Sequence, residues 1–284
     1  PPLQGKGLSY NNVLDAAAAA AIGRALRGPA CVIVKHTNPC GAAERASLLE
    51  AWEAALAGDP VSAFGGVVAL TRPVDAAVAG ALVSIFLEVV VAPVFDHDAL
   101  AIMATKPNLR LIVDPVLALD GPGPAADATG SIRSAGGAVL VTAPDTSPDD
   151  PTTWTVATRR APTDEERLDL DLAWRLVRGV TSNAVVLVRE GRLIGMGSGQ
   201  TSRVDAARGA VAQALAYAGA DALVGAACAS DAFYPFPDAV EVCLEAGVTA
   251  FVQPGGSVRD GEVLAIVDAA GGTMLMTGTR HFRH

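Results

Sequence analysis

Short apolar runs alternate with stretches of helical spacing along most of the chain. Residues 12–27 place alanines at nearly every position of a helical pattern that stops at Gly28-Pro29. The β-branched run Ala30-Cys31-Val32-Ile33-Val34 follows and has the character of a buried strand. The same pattern predicts helix over 46–57, strand over 65–70, helix over 74–86, strand over 89–91, helix over 97–104 and strand over 109–113. Such repeated alternation is the mark of a largely parallel sheet covered by helices.

Between 119 and 150 the apolar periodicity gives way to Gly, Pro, Asp, Ser and Thr, with turn clusters at Gly121-Pro122-Gly123-Pro124 and Pro148-Asp149-Asp150-Pro151. A crossover over about 119–151 divides the chain into a first unit, 1–150, and a second, 151–284. The second opens with a helix over 163–178, where Thr163-Asp164-Glu165-Glu166 has the spacing of a capping box. Strands over 183–188 and 192–197 are joined by Glu190-Gly191 as a hairpin. Helix 204–218, strand 226–229, helix 239–246, strand 249–252, helix 261–270 and strand 273–276 complete the pattern. The halves share an order of elements without obvious sequence identity. Two similar α/β units are expected.

Composition supports burial on this scale. The 284 residues are 51% apolar and 18% charged, so a large core is available. Aromatic residues are only 5%, so the interior is built from small side chains that let helices approach a sheet closely. The net charge of -9 comes with no basic block, which argues against a nucleic-acid partner. Anionic ligands would need the cationic side chains gathered locally. Cys31, Cys40, Cys228 and Cys243 lack metal-ligand or disulfide-scaffold spacing and read as reduced thiols of a cytoplasmic protein. His36, His97, His281 and His284 show no helical pairing, which disfavours a metal site. No run of 18 apolar residues appears and residues 1–12 are unlike a signal peptide, so neither secretion nor membrane insertion is expected.

Polar residues beyond strand carboxyl ends carry weight because open α/β sheets bind ligands there. Five segments are read in this way: 35–41, 59–66, 181–183, 195–203 and 230–238. Lys35-His36 pairs a base whose ordinary pKa suits proton transfer near neutrality with a cation able to stabilise an oxyanion. A lone Lys-His pair is nevertheless more often a solvated strand end. The Gly-rich stretch 195–203 ends a strand and opens a helix, so its N–H groups and Arg203 could hold an anion, although its spacing is not that of a dinucleotide fingerprint. Phe233, Tyr234 and Phe236 stand between Asp231 and Asp238, a combination suited to stacking on a planar heterocycle while a carboxylate accepts its N–H.

In order along the chain, LQGKGLSYNN, VKHTNPCGAA, DPVSAFGGVVAL, LEVVVAP, KPNLRL, SNAVV, GMGSGQTSRVDA, ASDAFYPFPD, VQPGGS and RHFRH resemble the transformylase domain of the AICAR transformylase/IMP cyclohydrolase family. That domain is the C-terminal one of the bifunctional family. The resemblance implies two cytidine-deaminase-like three-layer units with mostly parallel sheets and no zinc. It implies transfer of the formyl group of 10-formyltetrahydrofolate to the 5-amino group of AICAR, as a step of purine (IMP) biosynthesis. The family's catalytic residues fall on Lys35, His36 and Asn183. Nucleotide contacts fall on His36, Phe64, Gly65, Glu88, Asn183, Arg203 and Arg280, and folate contacts on Val204, Phe233, Asp238, Ser257 and Val258. The co-substrate implied is 10-formyltetrahydrofolate, with a bound monovalent cation left open. A homodimer with shared active sites is implied as well.

Two departures qualify these expectations. The family places an RYGxNPHQ segment and a cyclohydrolase domain ahead of the present start, so weakened AICAR affinity and no cyclohydrolase activity are expected of this chain. The alternative it raises is an inactive nucleotide-binding or dimerisation fragment. Many relatives carry Lys where Thr181 stands.

Overall fold

A computed structural model describes residues 2–118, 130–143, 145 and 149–284. In the first half, α1 (Tyr10–Ala25) starts at Ser9, whose hydroxyl accepts from the Asn12 N–H while the Asn12 side chain accepts from the Ser9 N–H. This reciprocal cap satisfies donors that the helix itself cannot. Then come β1 (Ala30–Lys35), β2 (Asn38–Glu44), α2 (Leu48–Leu56), α3 (Pro60–Ala63), β3 (Gly66–Leu70), α4 (Ala76–Leu82), β4 (Leu87–Ala92), α5 (His97–Met103) and β5 (Arg110–Val113). Between the halves lie β6 (Ser131–Ala135), β7 (Ala138–Thr142) and β8 (Thr155–Val156). The second half runs α6 (Asp164–Val177), β9 (Val185–Arg189), β10 (Arg192–Gly197), α7 (Arg203–Tyr217), α8 (Ala220–Leu223), β11 (Ala227–Ser230), α9 (Asp238–Glu245), β12 (Ala250–Gln253), α10 (Asp260–Ala269) and β13 (Thr273–Met276).

The succession from α1 to β5 is therefore repeated from α6 to β13. Over the start of each repeat one constant offset relates the two: Ser9, Asn12, Asp15, Lys35, His36 and Gly41 fall on Thr163, Glu166, Asp169, Arg189, Glu190 and Gly195. Identity is low because the matched residues share roles more than types. Both helices open with a capping box, and both hairpins turn on two residues of positive φ.

Among the described residues eleven strands form one sheet in the order β5-β4-β3-β1-β2-β10-β9-β11-β12-β13-β8, and β6 pairs only with β7. Pairing is parallel within β3-β4-β5 and within β11-β12-β13. It is antiparallel where β1 and β9 meet their neighbours, and where β2 lies beside β10. The sheet is thus mixed, with the parallel wings expected from the alternation and an antiparallel centre made by two hairpins.

Strand side chains alternate between two faces, as the pleat requires. Val32 and Val34, with Val186 and Val188, meet α1 and α6 in one core that runs beneath both halves. Cys31 and Ile33 face α2 and α4 in a second core, and Val185 and Leu187 face α7 and α9 in a third. Helices approach the sheet closely where side chains vanish. A Cβ on Gly41 would lie 2.2 Å from the Ala55 carbonyl oxygen, and one on Gly195 would lie 2.1 Å from that of Ala210.

Candidate active site

Strand register gathers the expected site residues on one edge of this sheet. Lys35 ends β1 opposite Asn38, and Val34 pairs with Val67 so that Gly65 and Gly66 are level with the β1 end. Gly66 pairs with Leu87, which brings Glu88 to the same edge. Because β10 is antiparallel to β2, its end at Gly197 comes to this side, and Gly197 and Ser230 both pair with Val185 just after Asn183. Gln253 pairs with Met276, placing the segments leading to Ser257 and Arg280 alongside.

Three details differ from the sequence reading. Segments 59–66 and 181–183 precede β3 and β9, so they lie at strand amino ends. Residues 35–41 are not a loop: β1 and β2 meet through the two-residue turn His36-Thr37. That turn has φ 51 at His36 and φ 63 at Thr37, a conformation that non-glycine residues seldom adopt. It is held from several directions. The Thr37 N–H donates to Asp15 Oδ1 at 2.7 Å, and Arg283 donates to the Thr37 carbonyl at 2.6 Å. Asn38 Nδ2 donates to the His36 carbonyl at 3.1 Å. Burial holds the Arg283 guanidinium below its usual pKa.

Lys35 donates from Nζ to the Phe64 carbonyl at 2.6 Å, leaving its other N–H groups for a ligand. A Cβ on Gly65, where φ is 71, would come within 3.2 Å of that nitrogen, so glycine leaves the ammonium clear. Phe64 packs on Phe86 with ring centroids 5.4 Å apart. His36 is exposed at the mouth of an open cleft of about 630 Å³, lined in part by Lys35, Asp59, Met196, Gln213 and Tyr217. Gln213 spans this cleft, donating to Asp59 Oδ2 at 3.1 Å and accepting from the Met196 N–H at 2.7 Å. Burial, reinforced by the Asp59 charge, pushes the Cys40 thiol up to about 12, so the sulfur in this cleft is a protonated thiol and no nucleophile.

Asn183 is coupled to the turn through its own loop, since the Thr181 N–H donates to Asn38 Oδ1 at 2.9 Å. Its side chain is held at both ends: Nδ2 donates to the Gln200 carbonyl at 2.9 Å, and Oδ1 accepts from Arg203 Nη2 at 2.9 Å. Arg203 is buried, and its Nη1 donates to Asp231 Oδ1 and to Ser230 Oγ. Asp231 is wholly buried and also accepts from the Ala184 N–H at 3.2 Å and the Ser182 hydroxyl at 2.5 Å. Arg203, expected to touch a ligand, is thus engaged with protein groups and acts on Asn183.

The other expected residues spread along the edge. Glu88 is ion-paired with Arg110 at 2.6 Å. Arg280 is exposed, with its guanidinium 5.3 Å from the Phe282 ring centroid. Val204 follows Arg203 in the first turn of α7, and Asp238 begins α9, where it accepts from the Ala239 N–H at 2.8 Å. Phe233 and Val258 face solvent, while the Ser257 N–H donates to Asp260 at 3.1 Å. Tyr234 departs from the stacking reading of its loop, being fully buried with its hydroxyl 3.5 Å from Cys228 Sγ. Arg259 instead covers Phe236 at 4.9 Å. Cations do collect at this edge, but Arg110 and Arg203 are already neutralised. Asp231, read from sequence as a carboxylate free to accept from a heterocycle, is instead buried against Arg203. Asp15 and Arg283 were not singled out from sequence as parts of the site, and mid-helix Asp15 carried no signal of a turn.

Among the described residues no group of three or more His, Cys, Asp or Glu is placed to hold a metal ion. Nor is any described helix long and apolar enough to cross a membrane. A repeated α/β sheet with the expected site residues gathered along one edge defines the class: an α/β protein with a candidate site at that edge. A family model described as AICARFT/IMPCHase bienzyme matches residues 1–213, and the chain belongs to that family. A bifunctional purine biosynthesis protein PurH from Chloroflexus aurantiacus is 50% identical over 287 residues, covering 99% of this chain and 54% of the relative. Proteins of the same name from Acidithiobacillus ferrooxidans and Desulfitobacterium hafniense are 50% and 48% identical, again over 99% of this chain. They are covered over 53% and 52% of their own length. The chain spans about half the length of the curated relatives it matches.

Proposed function

We propose that this chain is the transformylase part of a purine-biosynthesis enzyme and transfers the formyl group of 10-formyltetrahydrofolate to the 5-amino group of AICAR. The observation that carries the reading is the Asn38–Thr181 hydrogen bond of 2.9 Å, which couples the Lys35-His36 turn to the Asn183 loop. In this reading His36 accepts a proton from the amine as the new C–N bond forms. Negative charge that builds on the formyl oxygen meets the remaining Nδ2–H of Asn183 and the Lys35 ammonium. The bond from the formyl carbon to the folate nitrogen then breaks, and that nitrogen takes a proton from Lys35 or His36, so atoms and charge balance.

Phe64, Gly65, Glu88, Arg203 and Arg280 are assigned to the nucleotide side, with Arg203 acting through Asn183. Val204, Phe233, Asp238, Ser257 and Val258 are assigned to the folate side, where Phe233 supplies an exposed ring and Asp238 a carboxylate. The two repeats are read as cytidine-deaminase-like units, the whole as a homodimer, and its compartment as the cytoplasm. The test is turnover: with both substrates saturating, tetrahydrofolate should be released in step with formylated AICAR. Absence of any transfer by the folded protein would overturn the reading.

A further inference from the structure

We propose that Asp15 is a positioning residue that aims His36, an inference that rests on the formyl-transfer reading above. The peptide unit joining His36 to Thr37 is bonded at both poles. Its carbonyl accepts from Asn38 Nδ2 at 3.1 Å, and its N–H donates to Asp15 Oδ1 at 2.7 Å. Fixing that plane fixes ψ of His36, and with it the direction in which the imidazole leaves the backbone. Neither turn residue is glycine, and Thr37 is β-branched, so the left-handed turn is not favoured by its own residues and needs external support.

Asp15 is an unlikely residue for its position on local grounds. It interrupts an alanine-rich helix, where Asp is among the weaker helix formers. The repeat explains its presence. At the equivalent position of α6, Asp169 accepts from the N–H groups of Glu190 and Gly191 at 2.8 and 2.7 Å. The same helix position therefore grips the hairpin turn in both halves. Only the first turn carries the Lys-His pair. The second has Arg189-Glu190 and lies at the opposite edge of the sheet, which makes Asp169 an internal control for a purely structural grip.

The experiment compares Asp15→Ala, Asp15→Asn and Asp169→Ala with the unaltered protein. Misplacing a reacting group by a fraction of its reach costs on the order of 10- to 100-fold in rate, so Asp15→Ala should lose that much kcat with KM for AICAR nearly unchanged. Asp15→Asn retains a carbonyl acceptor and should restore most of it. Asp169→Ala should lower the denaturation midpoint and leave kcat alone. Amide hydrogen exchange supplies a readout independent of turnover: Thr37 should lose protection in Asp15→Ala and keep it in Asp15→Asn. Unchanged kcat in Asp15→Ala, unchanged Thr37 protection, or failure of Asp15→Asn to rescue would each overturn the proposal. If the unaltered protein transfers no formyl group, the functional reading fails by itself, and a positioning role in that reaction is overturned with it.

Discussion

Arg203 Nη2 donates to Asn183 Oδ1 at 2.9 Å, which sets the orientation of the Asn183 amide and leaves its second Nδ2–H to offer an incoming ligand. Reversing the amide would set two donors against each other, and Nδ2 would lose its acceptor at Gln200. In the proposed reading, that second N–H meets the formyl oxygen as it gains negative charge.

Arg203→Lys should separate this role from charge alone. Lysine keeps the cation beside Asp231 but cannot reach Ser230, Asp231 and Asn183 with one planar fork. Loss of an oriented oxyanion donor costs on the order of 10²-fold in kcat. Steady-state kinetics on the variant should show that fall, and an unchanged kcat would mean that Asn183 orients itself without help.

Close approach of helix to strand makes a second expectation. Gly41→Ala would drive a Cβ to 2.2 Å from the Ala55 carbonyl oxygen, so α2 must move off the sheet. Overpacking of this kind costs about 1–3 kcal/mol. Urea denaturation should show the loss as a lowered midpoint at unchanged slope. A stability equal to that of the unaltered protein would mean that the interface is looser than its geometry.

Much of this fold was legible from sequence, and the failures share a cause. The capping box at Thr163-Glu166, the buried run 30–34 and the strand at 273–276 follow from local residue types, and each was found where expected. The second hairpin announced itself through Gly191. The first did not, because His36 and Thr37 occupy left-handed positions without glycine and are held by partners remote in sequence. Strand β2 was missed for the same reason. The edge that gathers the expected residues was visible as separate motifs, but only strand register brings Lys35 beside Gly65-Gly66 and the Asn183 loop beside the end of β11. The pairing of Arg203 with Asp231 was not legible either, because a sequence carries no sign that Asp231 is buried beneath it.

Acid should weaken the protein partly through Glu166. Burial pushes its carboxyl up, but hydrogen bonds from Arg160, the Thr163 N–H and the Thr249 hydroxyl, with the Arg160 charge, outweigh burial and hold it below its ordinary value. A carboxylate depressed in the folded state contributes stability that is present above its unfolded pKa of about 4.3 and is lost as pH falls through the folded value. Glu166→Gln should therefore be less stable at neutral pH and flatter in its acid dependence. Parallel stability curves for the two proteins would contradict this.

The assignment of the base is tested most directly by His36→Ala, since His36 is exposed at the turn and its loss removes no buried packing. Steady-state formyl transfer from 10-formyltetrahydrofolate to AICAR should fall by about 10²- to 10⁴-fold in kcat, the usual worth of a positioned general base. The circular dichroism spectrum and denaturation midpoint should be those of the unaltered protein. Full kcat retained in the folded variant would contradict the account.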